Sequence, residues 1–247
     1  MYRLFRQTLS FLTICPAPSG PPLTAEELSR SSGYFPLVGL VLGLIFALFW
    51  LILGSLGPPE SVKAILVAIA AIVMTRGFHL DGLADTADAL LSHRSTEEKL
   101  AIFKDCHLGV FGVTAIVLDL LLKVNLLEVA LASPRGLTAL ILVPVWGRLA
   151  ASLVAYLTNY VRPSGGLGQN IINGAGRPEA LLALVSAFII SLWGGLLGLA
   201  VFGLTIIISL ALAMVWRLAL GGTTGDLLGA SVELGEIGSL TLWVLLI

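Results

Sequence analysis

From Leu181 to Trp216 the chain runs 36 residues without a charge. That is too long for a single helix crossing the ~30 Å of hydrocarbon in a bilayer, so the run must fold back on itself, and Gly194-Gly195 to Gly198 offers a turn. A tight apolar hairpin of this kind has no soluble counterpart unless a large core covers it. The rest of the chain is built to match. Tyr34 to Leu56 contains no charge, and Val62 to Leu80 runs AILVAIAAIVMT after Lys63 and then admits Arg76 and His79, which places its last turn at the headgroups. Val110–Leu131 carries Asp119, Lys123 and Glu128, and Leu137–Thr158 carries Arg148, so neither can face lipid all round. Ile237–Ile247 is short and reads as the end of a helix that begins nearer Asp226. The expectation is an all-α, polytopic transmembrane bundle of six or seven spans, one integral membrane domain over residues 1–247 with no internal repeat.

Composition agrees. Apolar residues make up 57% and charged residues 12%, against roughly 45–50% and about 25% in soluble domains, and the mean hydropathy is +0.99. The lipid bilayer is therefore the first partner. Lys and Arg number 14 against 15 Asp and Glu, a net charge of −1, which argues against both disorder and nucleic-acid binding. Cys15, Cys106 and three scattered histidines supply neither a disulfide framework nor a zinc site. In Met1 to Ile14, Leu4, Phe5, Leu9, Phe11 and Leu12 alternate with Arg3, Arg6 and Gln7, suiting an interfacial amphipathic helix rather than a cleavable signal, ended by PAPSGPP at 16–22.

Placing the N-terminus in the cytoplasm puts 10 of the 14 basic residues inside, 2 outside (Lys63 and Arg135) and 2 within spans (Lys123 and Arg148). Three polar, Gly-rich segments then share the cytoplasmic face: 76–109, 159–180 and 217–236.

The first holds HLDGLADTADALL at 79–91. Asp81, Asp85 and Asp88 fall within an arc of roughly 60° on a helix, with no Lys or Arg between 79 and 91. Such a stripe is either a solvated acidic face or a site for a divalent cation; short carboxylates with hard oxygens suit Mg²⁺, which completes its octahedron with water and phosphate. Lys104, Asp105 and His107 follow before the next span, and Ser95 or Thr96 caps a short helix through Glu97, Glu98 and Lys99. In 220–236, a Gly-rich turn with Gly222, Thr223 and Thr224 leads into a helix bearing Asp226 and Glu233 at i, i+7. Its backbone N–H groups and hydroxyls suit phosphate, though no Walker lysine follows. RPSGGLGQNIINGAGRP at 162–178 reads on composition alone as a connector. Asp119 and Glu128 either pair with Lys123 structurally or join a site. Together these groups are equipment for holding a diphosphate through Mg²⁺ and basic side chains while an alcohol attacks phosphorus.

FHLDGLADTADAL (78–90), KDCHLGVFG (104–112), GGLG (165–168) and LGGTTGDLLGASVELGE (220–236) resemble, in order, four blocks of the cobalamin synthase family, the adenosylcobinamide-GDP ribazoletransferases, and the likeness runs from SFLT (10–13) to the end. The resemblance implies a membrane enzyme that joins α-ribazole or its 5′-phosphate to adenosylcobinamide-GDP, releasing GMP, with Mg²⁺ as cofactor. It implies metal ligation by Asp81, Asp85, Asp88 and Asp226, with catalysis by the three α-helical aspartates and Lys104, Asp88 being a candidate to take the hydroxyl proton. Arg94, Asp105, His107, Arg148, Gly166, Gly168, Arg217, Gly222, Thr223, Thr224, Glu233 and Glu236 are the implied substrate contacts. Lys123 also falls where a basic residue is usual. Three departures stand out: Ile14-Cys15 before Pro-x-Pro in place of an Arg and an aliphatic residue, Arg76 in place of Gly, and Cys106-His107 in place of a small residue and Arg. A CDP-alcohol phosphotransferase shares the Asp-Gly-x-x-Ala opening but requires Arg where Asp85 stands, and a cation transporter would place its acids near the midplane. Oligomeric state, a homo-oligomer included, is left open by the sequence.

Overall fold

The computed structural model describes residues 2–16, 24–103, 107–162 and 165–247. Among them there is no strand, only one isolated parallel bridge between Tyr160 and Thr223. The helices are α1 (Tyr2–Leu12), α2 (Ala25–Ser29), α3 (Phe35–Leu56), α4 (Glu60–Thr75), α5 (Phe78–Leu90), α6 (Thr96–Ile102), α7 (Val110–Leu131), α8 (Gly136–Leu157), α9 (Leu167–Gly174), α10 (Arg177–Ser191), α11 (Gly195–Leu220) and α12 (Gly225–Leu246). Five stretches are long and apolar enough to cross a membrane, and α4 with α5 makes a sixth only as a pair bent by 90°. The protein is a polytopic helical membrane bundle.

The longest of the five stretches, Arg177–Leu220, is the expected hairpin. Phe188 and Phe202 stack with ring centroids 5.8 Å apart, whereas fourteen residues of straight helix would separate them by ~21 Å. Gly195 takes φ +62°, and a Cβ on Gly198 would strike the Ser191 carbonyl, so the turn needs both glycines. α12 is one continuous helix of 22 residues, as the reading of Ile237–Ile247 required.

α8 is the axis. It is apolar nearly all round, and every residue from Ala139 to Ala155 is buried; a helix without a polar face can only be central. α3 crosses it backbone to backbone, because a Cβ on Gly39 or Gly43 would collide with Pro144 or Ile141. Gly39 and Gly43 form the small-xxx-small spacing that allows this approach. Gly235 brings α12 against Gly147 and Ala150 from the other side. α7 lies outermost, with little of it buried.

One expectation is corrected. The second span does not continue to Leu80: it stops at Thr75, where Arg76 (φ +56°) and Gly77 (φ +65°) take consecutive left-handed conformations. An L-residue there costs about 1–2 kcal/mol, and contacts with the N-terminal helix offset it. Arg76 Nη2 donates to the carbonyls of Thr13 (2.8 Å) and Ser10 (3.4 Å), and Ile14 N donates to Met74 O at 2.8 Å. Arg76 thus anchors α1 to the bend. α5, with its three carboxylates, turns 90° away from α4 and packs against α12 and α7.

Candidate active site

The bend sets α5 beside the start of α12. A Cβ on Gly82 would come 2.5 Å from the Asp226 carbonyl, so these helices touch at their first turns and only glycine fits. Asp226 therefore joins the acids of α5. Asp81 is exposed, while Asp85 and Asp226 are half-buried. Burial, followed by the charges of Asp226, Asp81 and Asp88, pushes the Asp85 carboxyl up to about 7, with Arg162 pulling the other way. Arg162 sets one positive charge against these carboxylates.

Asp88 stands apart from its stripe. Its carboxylate accepts from Gly109 N at 2.7 Å and Gly112 N at 2.9 Å, satisfying amides at the start of α7 that have no helical partner. A Cβ on either glycine would run into that carboxylate. Asp88 clasps α5 to α7.

The turn before α12 is tied to the segment after α8. Thr223 N donates to Asn159 O (2.8 Å), and Val161 N donates to Thr223 O (3.1 Å). Thr224 caps α12, its Oγ1 accepting from Leu227 N at 3.3 Å. The left-handed residue is Gly221, at φ +82°; Gly222 is required because a side chain there would strike Asn159 O. Gly222, Thr223 and Thr224 are all buried and line neither of the two neighbouring cavities, so in place of the expected substrate contacts they form the packed turn that holds Asp226 at the start of α12. Gly168 packs on Gly225, a Cβ on it falling 2.7 Å from Gly225 Cα.

These contacts enclose a cavity of about 200 Å³ whose lining includes His79, Arg148, Tyr160, Arg162, Gly166, Gly168 and Asp226. All three polar segments singled out in the sequence contribute to it. Arg162 Nη1 lies 3.8 Å from Asp226 Oδ2. A second, open cavity of about 850 Å³, lined by Arg76, Leu80, Asp81 and Ala84 among others, lies beside it. Phe11 and Phe78, edge to face at 5.8 Å, wall both. Asp81 thus stands on the large cavity, Asp226 on the small one, and Asp85 is electrostatically coupled to both.

Other residues of the sequence reading lie elsewhere. Glu233 and Glu236 pair with Lys123, Glu236 at 3.0 Å, and Asp119 lies 3.5 Å from the same ammonium. Arg148 pairs with Glu236 and also lines the small cavity. Of the two proposed partners on α7, Asp119 joins Lys123; no Glu128 pair with it is found among the described residues. Arg217 donates to the Leu157 carbonyl, and among the described residues Arg94, His107 and Arg217 line neither cavity. Lys104 and Asp105 lie outside the described residues. Ser95 caps α6 with Glu98 in a reciprocal box, as expected.

Three cavity residues were not singled out by sequence: His79, Tyr160 and Arg162. His79 opens the acidic block and Arg162 opens RPSGGLG, so adjacency to a motif was the available signal; for Tyr160 there was none.

The chain matches the family described as cobalamin-5-phosphate synthase over residues 4–244. It is 40% identical over 243 residues to the adenosylcobinamide-GDP ribazoletransferase of Syntrophobacter fumaroxidans, covering 96% of each chain. To the protein of that name from Escherichia coli K12 it is 37% identical over 243 residues, covering 96% of this chain and 97% of the other. No solved structure matches.

Proposed function

Because the chain belongs to the cobalamin-5-phosphate synthase family, we propose that it is an adenosylcobinamide-GDP ribazoletransferase acting at the cytoplasmic face of the inner membrane. It joins α-ribazole or its 5′-phosphate to adenosylcobinamide-GDP and releases GMP. The observation that carries this reading is the convergence of 76–109, 159–180 and 217–236 on one cavity, with Asp226 on its lining and Asp85 and Asp81 close enough to repel one another. Among the described residues one cation, Arg162, is set against these three acids.

Mg²⁺ fits that donor set. Among the described residues no three His, Cys, Asp or Glu side chains are grouped to hold an ion alone, which suits an ion that takes one or two carboxylates and fills its octahedron with water and substrate phosphate. One or two of Asp81, Asp85 and Asp226 would hold it, with water and substrate phosphate as the other ligands, and it would supply neutralisation of the charge that develops on the diphosphate. Asp88, engaged by two amides, is left to its clasp.

The remaining chemistry belongs to the chain. Arg162 brings positive charge to the small cavity beside Asp226, where a 5′-phosphate on the acceptor would be met, while Arg148 is paired with Glu236. The ribose hydroxyl oxygen of α-ribazole bonds to the phosphorus on the cobinamide side as that phosphorus loses its bond to the oxygen retained by GMP. The hydroxyl proton passes to a carboxylate of α5. Walls from α1, α5, α8 and α12 keep bulk water from competing as nucleophile. The interior acids Asp119, Glu233 and Glu236 are ion-paired with Lys123 and Arg148, which disfavours a cation-transport reading.

Purified protein in nanodiscs, given both substrates and Mg²⁺, should release GMP in step with cobalamin formation. Asp85→Asn should abolish both while inserting normally. Full turnover in that variant would overturn the site.

A further inference from the structure

The two cavities share the Phe11–Phe78 wall, with Asp226 lining one and Asp81 the other, and differ in size, openness and chemistry, while the reaction has two substrates of very different bulk. We infer that the small cavity between α1, α5, α8 and α12 is the nucleoside-acceptor subsite, taking the planar, largely apolar aromatic base of α-ribazole against Phe11, Phe35 and Ala151, while the open cavity takes the corrinoid diphosphate. This rests on the ribazoletransferase reading and goes beyond it, because it assigns each substrate to its own chamber.

Size gives the first argument. An apolar protein cavity of ~150 Å³ binds benzene, so about 200 Å³ is on the scale of a fused bicycle and far below a corrin macrocycle. Only the neighbouring chamber of about 850 Å³ is open enough for the larger substrate.

Wall chemistry gives the second. At its deeply buried end the small cavity is lined by Leu12, Phe35, Ala151, Ile171, Leu228 and Val232, each at most 6% exposed. Among the described lining residues, none at that end is Asn, Gln, Asp or Glu, so the several donors and acceptors on a guanine edge would go unpaired there, which burial penalises. A benzimidazole-type base has only one free ring nitrogen to satisfy. The polar residues of this end, His79 and Arg148, are 2% and 3% exposed, and His79 Nδ1 and Arg148 Nε have no hydrogen-bond partner. Two buried groups with spare capacity in an otherwise apolar chamber match a base with one polar atom.

Orientation follows. The more exposed polar residues, Arg162 and Asp226, with side chains 20% and 25% exposed, mark the other end. A base seated among Phe35 and Ala151 leaves its ribose at Asp226, whose charge acts on Asp85 together with that of Asp81 from the large cavity.

Ala151 is the residue to change, because it is buried in α8 and is the smallest side chain of the apolar floor. In nanodiscs, Ala151→Leu should raise the KM for α-ribazole at least tenfold and the inhibition constant of free benzimidazole in parallel. The KM for adenosylcobinamide-GDP and the inhibition constant of GMP should stay within twofold. If Ala151→Leu fails to melt cooperatively, Ala151→Ser, which adds only a hydroxyl to the floor, should show the same pattern at about threefold. A rise confined to adenosylcobinamide-GDP and GMP, or an unchanged benzimidazole constant in a folded variant, overturns the assignment. Equilibrium dialysis of benzimidazole against wild type and variant reads the cavity without turnover. Wild-type protein that forms no cobalamin yet loses benzimidazole binding in the variant would sink the ribazoletransferase reading and leave the subsite standing.

Discussion

α12 carries two sets of acids with opposite fates. Its first turn presents Asp226 to the cavity, where Thr224 Oγ1 donates to it at 3.3 Å and Arg162 is the paired cation among the described residues, at 3.8 Å. Two turns further on, Glu233 and Glu236 meet Lys123 from α7 and Arg148 from α8 in the interior. The lower set has its counter-ions built into neighbouring helices. The upper set, Asp226 with Asp81 and Asp85, has a surplus of negative charge that a ligand must answer. An acid next to its own cation holds the fold together; an acid without one states a requirement for something the chain does not contain.

The sharpest way to break this contrast is to remove a counter-ion from the lower set. Lys123→Met keeps the length of the side chain but leaves Asp119, Glu233 and Glu236 facing one another in the bundle. Breaking a buried pair from one side costs about 3–5 kcal/mol, so the variant should lose most folded protein in a thermal-melting assay. A melting curve like that of wild type would mean that water or lipid headgroups already solvate these acids.

Asp85→Asn probes the upper set from the other direction. Turnover should fall by roughly a hundredfold or more, while the melting temperature is unchanged or rises, since a carboxylate repelled by its neighbours has been removed. Loss of folded protein here, in place of loss of turnover, would move Asp85 into the structural set.

Asp88 separates the two behaviours within one stripe. Replacing it by Ala strips the Gly109 and Gly112 amides of their acceptor, which should cost about 1–3 kcal/mol of stability. The activity per folded molecule should fall far less than in Asp85→Asn, and rate measured against folded fraction tests this.

The smallest effects belong to two arginines that the sequence reading assigned to phosphate. Arg94→Ala and Arg217→Ala, outside both cavities, should leave the KM for adenosylcobinamide-GDP within about twofold; a surface change of this kind is worth no more than ~0.5 kcal/mol. A tenfold rise would bring their segments into the site.

What the sequence made legible follows from the range of the physics involved. The hairpin, the continuous α12 and the Ser95 cap depend on apolar runs, glycines and contacts a few residues apart, all visible locally. The bend at Arg76 was not visible, because a left-handed arginine is disfavoured by every local preference and is held by carbonyls of Ser10 and Thr13, more than sixty residues away. Asp88 looked like its stripe-mates for the same reason: the amides that engage it begin 21 residues later. The pairing of Lys123 with Asp119 could be read at i, i+4, whereas Glu233, 110 residues on, could not. Convergence of the three polar segments was legible from topology; the division of their residues between a cavity and a buried ion network came only with the packing of α12 on α7 and α8.

The most direct test joins metal, acids and chemistry. Wild-type protein and Asp226→Asn, each purified into nanodiscs and stripped with chelator, are titrated with Mg²⁺ while GMP release is followed in the presence and absence of α-ribazole. Wild type should be silent without metal, recover saturably with Mg²⁺ and require α-ribazole, and Asp226→Asn should need a much higher Mg²⁺ concentration for the same rate. GMP release that ignores the chelator, or a Mg²⁺ curve identical in the two proteins, would contradict the assignment of these carboxylates to a metal-dependent transfer.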